Sequence, residues 1–189
     1  MPPWTGCCYA PGWSARTACT RPAVAEHIDG QPASYEQRFE RELPTVADTE
    51  ALGRDLASGL RAGDLVVLDG PLGAGKTALT RGIAAGLGVG GRVSSPTFVI
   101  ARRHPAGPRA DGPPVALVHV DAYRLGGSLD ELDALDLDTE LDDAVVVVEW
   151  GSGVVERLTG RHLLVRMARE PESEVRSATW EWVATGLGE

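Results

Sequence analysis

The stretch Gly70-Pro71-Leu72-Gly73-Ala74-Gly75-Lys76-Thr77 decides the fold of this chain. It matches the pattern G-x-x-x-x-G-K-[ST] at every fixed position, and that pattern is typical of loops that bind phosphate groups. Lys76 is the only lysine of the chain, because the other seventeen of its eighteen basic residues are arginine. A compact ammonium fits a narrow phosphate cradle better than a planar guanidinium does. The position of the one lysine therefore strengthens the prediction of phosphate binding.

The glycines of this loop explain how it could hold an anion. Gly70, Gly73 and Gly75 let the backbone adopt positive φ angles, and successive N–H groups can then point inward as a nest. A helix that starts at about Lys76 adds its positive end, and Thr77 offers a hydroxyl to Mg²⁺. An ordinary glycine-rich turn is the alternative, but a chance match of the whole pattern has odds of about one in a hundred or less.

The segments around the loop predict its structural context. Leu65–Asp69 is a short apolar run that predicts a strand, and Thr77–Leu87 predicts a helix closed by Gly88. Val145–Val148 is a continuous β-branched run, which is typical of a strand buried on both faces of a mostly parallel sheet. We therefore predict an α/β protein with a P-loop NTPase-like, three-layer fold.

Other patterns complete the predicted architecture. Leu52, Leu56 and Leu60 form an amphipathic helical stripe after Asp48-Thr49-Glu50, and Gly63 ends that helix. The remaining predicted elements are strands over Thr97–Arg103 and Val115–Asp121, a mobile Pro/Gly-rich loop over His104–Pro114, a helix with a solvated acidic face over Leu129–Asp143, and a C-terminal hairpin over His162–Met167 and Thr179–Ala184.

Composition separates the beginning of the chain from the rest. Segment 1–32 is rich in Pro, Gly, Cys and Trp and has no helical or alternating period. We therefore predict that 1–40 is a disordered extension or an upstream artefact of start-site choice, and that 41–189 is the P-loop ATPase domain. Cys7, Cys8 and Cys19 fit no zinc pattern, and no secretory signal is evident. The apolar runs are also too short to span a membrane. These features predict a reduced, cytoplasmic protein.

The charge balance bears on possible partners. The 189 residues carry a formal net charge of −9, and 43% of them are hydrophobic, which is enough for a substantial core. An acidic chain does not suit broad, sequence-independent contact with phosphate backbones. If a nucleic acid is involved, we expect another subunit to hold it.

A magnesium site needs a second ligand besides Thr77, and two carboxylates are candidates. Glu149 directly follows the Val145–Val148 run, and Asp121 directly follows Leu117-Val118-His119-Val120. Both are predicted at C-terminal strand ends, which form the edge where open α/β sheets bind ligands. For each of them the alternative is an ordinary solvated acid at the end of a strand.

One further segment has two explanations. Ser94-Ser95-Pro96-Thr97 follows the helix after the glycine loop, where switch segments often occur. A hydroxyl or carbonyl at Thr97 could sense a γ-phosphate there. A simple Ser-Pro turn into a strand explains the same residues, and from this segment alone the turn is the favoured explanation.

The order of these motifs resembles one known family. Gly70–Thr77 is followed by Ser95-Pro96-Thr97-Phe98, then by His119-Val120-Asp121-Ala122-Tyr123-Arg124-Leu125, then by Glu149-Trp150. This order resembles the bacterial TsaE family, the small P-loop ATPases of tRNA threonylcarbamoyladenosine synthesis. The resemblance covers roughly Leu43–Ala184 and includes Thr49-x-x-Leu52-Gly53 and the stretch Gly86–Gly88.

The resemblance implies a role for each matching residue. It implies ATP and Mg²⁺ as cofactors, with Lys76, Asp121 and Glu149 as catalytic residues and with Thr77 and Glu149 as metal ligands. Asp121 would support hydrolysis through a metal-bound or attacking water. The implied nucleotide-binding residues are Gly70, Pro71, Leu72, Gly73, Ala74, Gly75, Lys76, Thr77, Thr49, Thr97, Trp150 and Arg176.

The resemblance also implies partners. In this family the TsaD and TsaB subunits transfer a threonylcarbamoyl group to the tRNA adenosine next to the anticodon, and the ATPase contacts tRNA only through the complex. Beyond Asp121 and Glu149 no catalytic base or arginine finger is evident beside the loop, so we expect hydrolysis to be slow without partners. Gly151-Ser152-Gly153 departs from the family, whose members often have Pro or Glu soon after Glu-Trp, and this departure leaves contacts beyond Glu149 open.

Three other functions are alternatives to this one. A small-molecule P-loop kinase would need a lid with arginines, and Arg102, Arg103 and Arg109 flank the predicted mobile loop. A GTPase usually reads guanine with an Asn-Lys-x-Asp element, which cannot exist in a chain without asparagine. A subunit that binds a nucleotide without hydrolysing it, to lock an assembly, is compatible with the same loop.

Overall fold

The computed structural model describes residues 37–91, 93–94, 100–110, 112–125, 131, 133–170 and 175–185. Most of the predicted extension over 1–40 lies outside these residues. Its last two residues do not fit the prediction, because the first strand begins at Phe39. The boundary at 40/41 therefore lies inside a strand.

The described residues form one seven-stranded sheet and three α-helices. The strands are β1 Phe39–Leu43, β2 Leu65–Asp69, β3 Ala101–His104, β4 Ala116–Asp121, β5 Ala144–Glu149, β6 Arg161–Arg169 and β7 Arg176–Ala184. The helices are α1 Val46–Ala57, α2 Lys76–Leu87 and α3 Leu137–Leu141. Short 3-10 turns lie at Ala122–Leu125 and Glu156–Leu158.

The sheet has the order β1-β7-β6-β2-β5-β4-β3. Its four central strands are parallel, because β2 pairs in parallel with β5 and β6, and β4 pairs in parallel with β5. The outer strands are antiparallel: β3 pairs with β4, and β7 pairs with β6 and β1. The mostly parallel sheet and the C-terminal hairpin are both confirmed.

The β-branched run of β5 is buried on both faces, as predicted. Val145 and Val147 belong to the apolar cluster that packs against α1 and α2. Val146 and Val148 belong to a second cluster on the opposite face, which α3 and residues near the 3-10 turns cover. Strand residues alternate between faces, so one run of valines joins both outer layers to the sheet, and the three-layer α/β fold is confirmed.

Helix α1 packs unusually closely on α2. A methyl group added at Gly53 would lie 2.4 Å from the carbonyl oxygen of Leu79, and one added at Gly82 would lie 2.2 Å from that of Glu50. The two helices therefore meet backbone to backbone, and only glycine fits at these two positions. This contact is one physical reason for Gly53 in the Thr49-x-x-Leu52-Gly53 motif.

Both ends of α1 differ from the sequence prediction. The helix begins at Val46, where Thr45 and Asp48 form a capping box in which each side chain bonds the other's backbone N–H. It ends at Ala57 and not at Gly63. Leu60 is nevertheless buried beyond the end of the helix, so the predicted apolar stripe is right although its last member is not helical.

The prediction of one long acidic helix over 129–143 was wrong in its extent. Only Leu137–Leu141 forms a described α-helix of more than one turn, and Asp136 before it has a left-handed φ of 51°. Aspartate favours caps and turns over helix interiors, because its side chain competes for backbone hydrogen bonds. Leu137 and Leu141 are buried, which fixes this short helix against the sheet; residues 126–130 and 132 lie outside the described part.

The loop after β3 was predicted to be mobile, and its described part is anchored. The Arg109 guanidinium donates hydrogen bonds to the carbonyl oxygens of Leu60 at 2.9 Å and of Ala57 at 2.6 Å. These carbonyls lie at and just beyond the end of α1, where acceptors have no partner within the helix. The loop is therefore tied to the helix layer and does not form a free lid.

Candidate functional site

The glycine loop connects β2 to α2, the context that the sequence predicted. Gly70, Gly73 and Gly75 have φ angles of 140°, 79° and 105°, so all three adopt the positive φ expected of them. Gly70 also leaves no room for a side chain, because an added methyl group would lie 2.3 Å from the Met167 carbonyl oxygen of β6. The loop is thus held against β6 by a close backbone contact.

Lys76 is buried in this loop, with only 5% of its surface exposed. Its Nζ donates hydrogen bonds to the carbonyl oxygens of Gly70 at 2.7 Å and Pro71 at 3.0 Å. The same Nζ lies 3.6 Å from the centroid of a ring of Trp150, a cation–π contact. Burial lowers the pKa of Lys76, and the carboxylate of Glu149 opposes this effect. The loop therefore already holds a desolvated ammonium.

Glu149 joins the end of β5 to the first turn of α2. The Thr77 hydroxyl Oγ1 donates to its carboxylate, at 3.0 Å from Oε1 and 3.4 Å from Oε2. Glu149 is 4% exposed, so its charge needs such partners. The structure thus brings together the two residues that the sequence analysis assigned to a metal.

His119 is a third member of this group, and sequence reasoning gave it no role. Its Nε2 lies 2.8 Å from Glu149 Oε1, and its side chain is fully buried. It belongs to the motif around Asp121, but only Asp121 of that motif was predicted to be a site residue. The signal that could have found it is a polar residue within the otherwise apolar run of a central strand.

Asp121 lies beside Glu149 at the same sheet edge. The two residues are partners in the register of β4 and β5, and the prediction that each lies at the C-terminal end of a strand is confirmed. The Oδ1 of Asp121 accepts a hydrogen bond from the backbone N–H of Tyr123 at 3.2 Å. Both acids lie at the carboxyl edge of the parallel strands, beside the glycine loop.

A cavity of ≈ 510 Å³ opens over these residues. Trp150 has a left-handed φ of 66°, and its ring lies 5.2 Å from that of Tyr123. Leu72 and Tyr123 are 90% and 69% exposed, so they form an apolar rim. The lining residues are Leu72, Gly73, Gly75, Lys76, Thr77, Ala78, Asp121, Tyr123, Glu149 and Trp150.

Five of the predicted nucleotide-binding residues that the structure describes are not part of this lining: Gly70, Pro71, Ala74, Arg176 and Thr49. Thr49 is fully buried in α1, and its hydroxyl donates to the carbonyl oxygen of Thr45 at 3.2 Å. This bond gives Thr49 a structural function in its own helix. Thr97 lies outside the described residues, so its assignment to a switch segment stays a prediction.

Two arginines of the β6–β7 hairpin reach the loop. A methyl group added at Gly75 would lie 3.4 Å from Cδ of Arg176, and one added at Gly73 would lie 3.6 Å from Nη1 of Arg169. Arg169 and Arg176 are partners in the hairpin register. Arg176 was expected near the nucleotide, whereas Arg169 had no predicted role.

The donors around the cavity fit a nucleotide-bound magnesium ion. A hydroxyl and a carboxylate are hard oxygen donors of the kind that Mg²⁺ prefers, and this ion is commonly held by one or two such groups together with substrate phosphates and water. No group of three or more His, Cys, Asp or Glu side chains that could hold a metal occurs in the described part of the chain. A magnesium ion held by Thr77 and Glu149 would take its remaining ligands from phosphate and water.

Comparison with known proteins identifies the family. The family profile described as "Threonylcarbamoyl adenosine biosynthesis protein TsaE" matches residues 43–178. The chain belongs to the TsaE family. The matched part includes every predicted site residue from Thr49 to Arg176, so the TsaE assignment and the cavity concern the same domain.

A membrane-spanning helix is also absent from the described residues, because none of their helices has the length and apolar character that such a span requires.

Individual relatives cover most of the chain. The tRNA threonylcarbamoyladenosine biosynthesis protein TsaE of Streptomyces coelicolor is 61% identical over 141 residues, which are 73% of this chain and 90% of that protein. TsaE of Mycobacterium bovis is 58% identical over 145 residues, 74% of this chain and 84% of that protein. The crystal structure of Bacillus subtilis YdiB has a TM-score of 0.61 and 28% identity, and the match covers 82% of this chain and 90% of that one.

Proposed function

We propose that this TsaE-family protein binds ATP with Mg²⁺ in the cavity over the glycine loop and hydrolyses it in the service of threonylcarbamoyladenosine formation on tRNA. The observation that carries the proposal is the contact between Thr77 and Glu149, beside the buried ammonium of Lys76. A hydroxyl, a carboxylate and an ammonium around a glycine loop are the parts that P-loop nucleotide hydrolases use.

Each of these groups has a distinct task in the proposed reaction. The loop N–H groups and the start of α2 hold the polyphosphate, and Lys76 adds a positive charge to the β- and γ-phosphates. Thr77 and Glu149 would hold the ion, which neutralises charge that develops on the phosphates when bound. Asp121 orients the water that attacks the terminal phosphate and accepts its proton. Arg169 and Arg176 contribute positive charge from the hairpin side.

The kinase alternative loses its structural support. Arg103 pairs with Glu140 and Asp143, and Arg109 is bonded to carbonyls around the end of α1. Arg102 lies 3.5 Å from the Ser94 hydroxyl. All three arginines that could have formed a lid have partners elsewhere, and none of them lines the cavity. A metabolite that accepts the phosphoryl group in the cavity would therefore contact no arginine from that loop.

The proposal includes dependence on partners. The exposed Leu72 and Tyr123 leave an apolar rim around the cavity, and such surfaces commonly mark contacts with other proteins. We infer that the TsaD and TsaB subunits cover the site in the cytoplasm and carry the threonylcarbamoyl transfer and the tRNA, which suits the net charge of −9. Hydrolysis by the chain alone is then slow.

Turnover measurements with purified subunits test this proposal. ATP hydrolysis is measured for the chain alone, with TsaD and TsaB, and with a panel of small metabolites, each with Mg²⁺ and with excess EDTA. We expect Mg²⁺-dependent hydrolysis that rises on addition of the subunits. Binding without hydrolysis under all conditions would favour the nonhydrolytic assembly subunit. Strong stimulation by one metabolite with its phosphorylated product would favour a kinase.

A further inference from the structure

His119 occupies an unusual place for a polar residue. It lies within β4, a central strand, and its side chain is fully buried. Because strand residues alternate, His119 points to the same face as Leu117, which is the face covered by α2. A buried imidazole in this layer costs solvation free energy unless it is hydrogen-bonded, so the ring is expected to have a partner.

The geometry identifies that partner and the direction of the bond. Nε2 of His119 lies 2.8 Å from Oε1 of Glu149, the same oxygen that accepts from the Thr77 hydroxyl at 3.0 Å. The other ring nitrogen, Nδ1, is buried and has no hydrogen-bond partner among the residues that the structure describes. An ionised carboxylate can only accept, so the proton belongs on Nε2 and is donated to Glu149.

We propose that His119 is a positioning residue that fixes the carboxylate of Glu149 toward Thr77. The terminal torsion of a glutamate is broad and roughly two-fold, and two donors on Oε1 restrict it to one orientation. The role rests on the proposed function, because the oriented carboxylate matters through the magnesium ion that Thr77 and Glu149 would hold. Outer-shell donors of this kind orient metal ligands in other proteins.

A matched control exists on the neighbouring strand. His104 of β3 is also buried, and its Nε2 likewise has no hydrogen-bond partner in the described residues. Its side chain shares a sheet face with His119, because Arg102 pairs with His119 and His104 with Leu117 in the β3–β4 register. Replacing it disturbs the same layer without removing a donor from Glu149.

The first test measures how much Mg²⁺ strengthens nucleotide binding. ATP affinity is determined by calorimetry with Mg²⁺ and with excess EDTA for the wild type, His119→Leu, His119→Gln and His104→Leu, each checked by circular dichroism for an intact fold. We expect His119→Leu to reduce the gain in affinity from Mg²⁺ by about 10-fold, the lower end of known outer-shell effects, with little change in EDTA. His119→Gln keeps a donor and should retain most of the gain, as should His104→Leu.

The outcomes of this test are distinct. An unchanged Mg²⁺ gain in His119→Leu would overturn the positioning role, and so would equal losses in the Leu and Gln variants, because ring packing and not the donated hydrogen bond would then matter. Failure of the wild type to bind ATP would overturn the proposed function instead.

A second measurement distinguishes failure of the positioning role of His119 from failure of the proposed function. Nitrogen-15 spectra of the histidine rings of the full chain without nucleotide report which ring nitrogen carries the proton. We expect the Nε2–H form for His119, with an Nε2 proton signal that is lost in Glu149→Ala. A proton on Nδ1 alone, or a signal that Glu149→Ala leaves unmoved, would contradict the inference even if nucleotide binding is normal.

Discussion

The Thr77 hydroxyl donates a hydrogen bond to the Glu149 carboxylate across 3.0 Å, although 72 positions separate the two residues in the chain. This bond joins the first turn of α2 to the carboxyl end of β5. It places a hydroxyl, a carboxylate and, through Lys76, an ammonium around one cavity.

Lys76→Ala should abolish retention of ATP. The ammonium contributes charge-assisted hydrogen bonds worth roughly 1.5–3 kcal/mol each, so loss of about two of them, roughly 3–6 kcal/mol in all, lowers affinity by about 100-fold to 10,000-fold. Calorimetry with ATP and Mg²⁺ measures this directly. Arg81→Ala, which removes a cation of α2 that pairs with Glu50, is the control and should bind normally. Unchanged affinity in the Lys76 variant would mean that ATP binds elsewhere.

Glu149→Ala should weaken the Mg²⁺ dependence of nucleotide binding. Removal of the carboxylate takes away both an oxygen donor and the acceptor of the Thr77 hydroxyl, and we expect the Mg²⁺ gain to fall by about 10- to 100-fold. Asp138→Ala, which removes an exposed acid of α3, controls for the loss of one negative charge. A magnesium titration that is identical to the wild type would exclude Glu149 from a metal role.

Gly53→Ala should destabilise the protein through the contact between α1 and α2. The added methyl group would lie 2.4 Å from the Leu79 carbonyl oxygen, so the helices must separate, at a cost of about 1–3 kcal/mol. Urea denaturation followed by circular dichroism measures the free energy of unfolding. Gly59→Ala is the matched control, because its nearest contact would be an ordinary 3.7 Å. Equal stability of the two variants would contradict the backbone-to-backbone packing.

Arg109→Ala should loosen the loop after β3 and leave the nucleotide site intact. The guanidinium bonds carbonyl oxygens around the end of α1, and its loss should speed amide exchange over residues 105–110. ATP affinity and turnover should stay within about 3-fold of the wild type, a difference below 1 kcal/mol. A large fall in turnover with normal folding would revive the idea of an arginine-bearing lid.

His104 should make the protein less stable as the pH falls below about 6.5. Burial lowers the pKa of His104 from its ordinary value of 6.5, and the neighbouring His119 and Arg102 lower it further. The unfolded chain then binds more protons than the folded one in this range, so the free energy of unfolding rises with pH. The pH slope between 7 and 5 should be smaller in His104→Leu; an equal slope would exclude His104 as its source.

The candidate site was partly predictable because some of its chemistry is local in sequence. The spacing of glycines around Lys76 and Thr77 dictates a tight loop before a helix, and polar residues directly after apolar runs identified Asp121 and Glu149 as strand-end acids. His119 and Arg169 were not predicted as site residues, because their roles depend on which strands are neighbours in the sheet. Thr49 was placed at the nucleotide by motif order alone, whereas its hydroxyl bonds its own helix.

The sequence by itself determined the strand, loop and helix around Gly70–Thr77, the doubly buried β5 and the C-terminal hairpin, because backbone sterics and hydrophobic alternation act over a few residues. Only the tertiary structure decided that Glu149 meets Thr77 and His119 and that the β6–β7 hairpin brings arginines to the loop. It also decided that, after Asp136, the described part of the acidic segment is helical only over Leu137–Leu141. Those outcomes depend on the order of strands in the sheet and on burial of surfaces distant in the chain, and no local spacing encodes either.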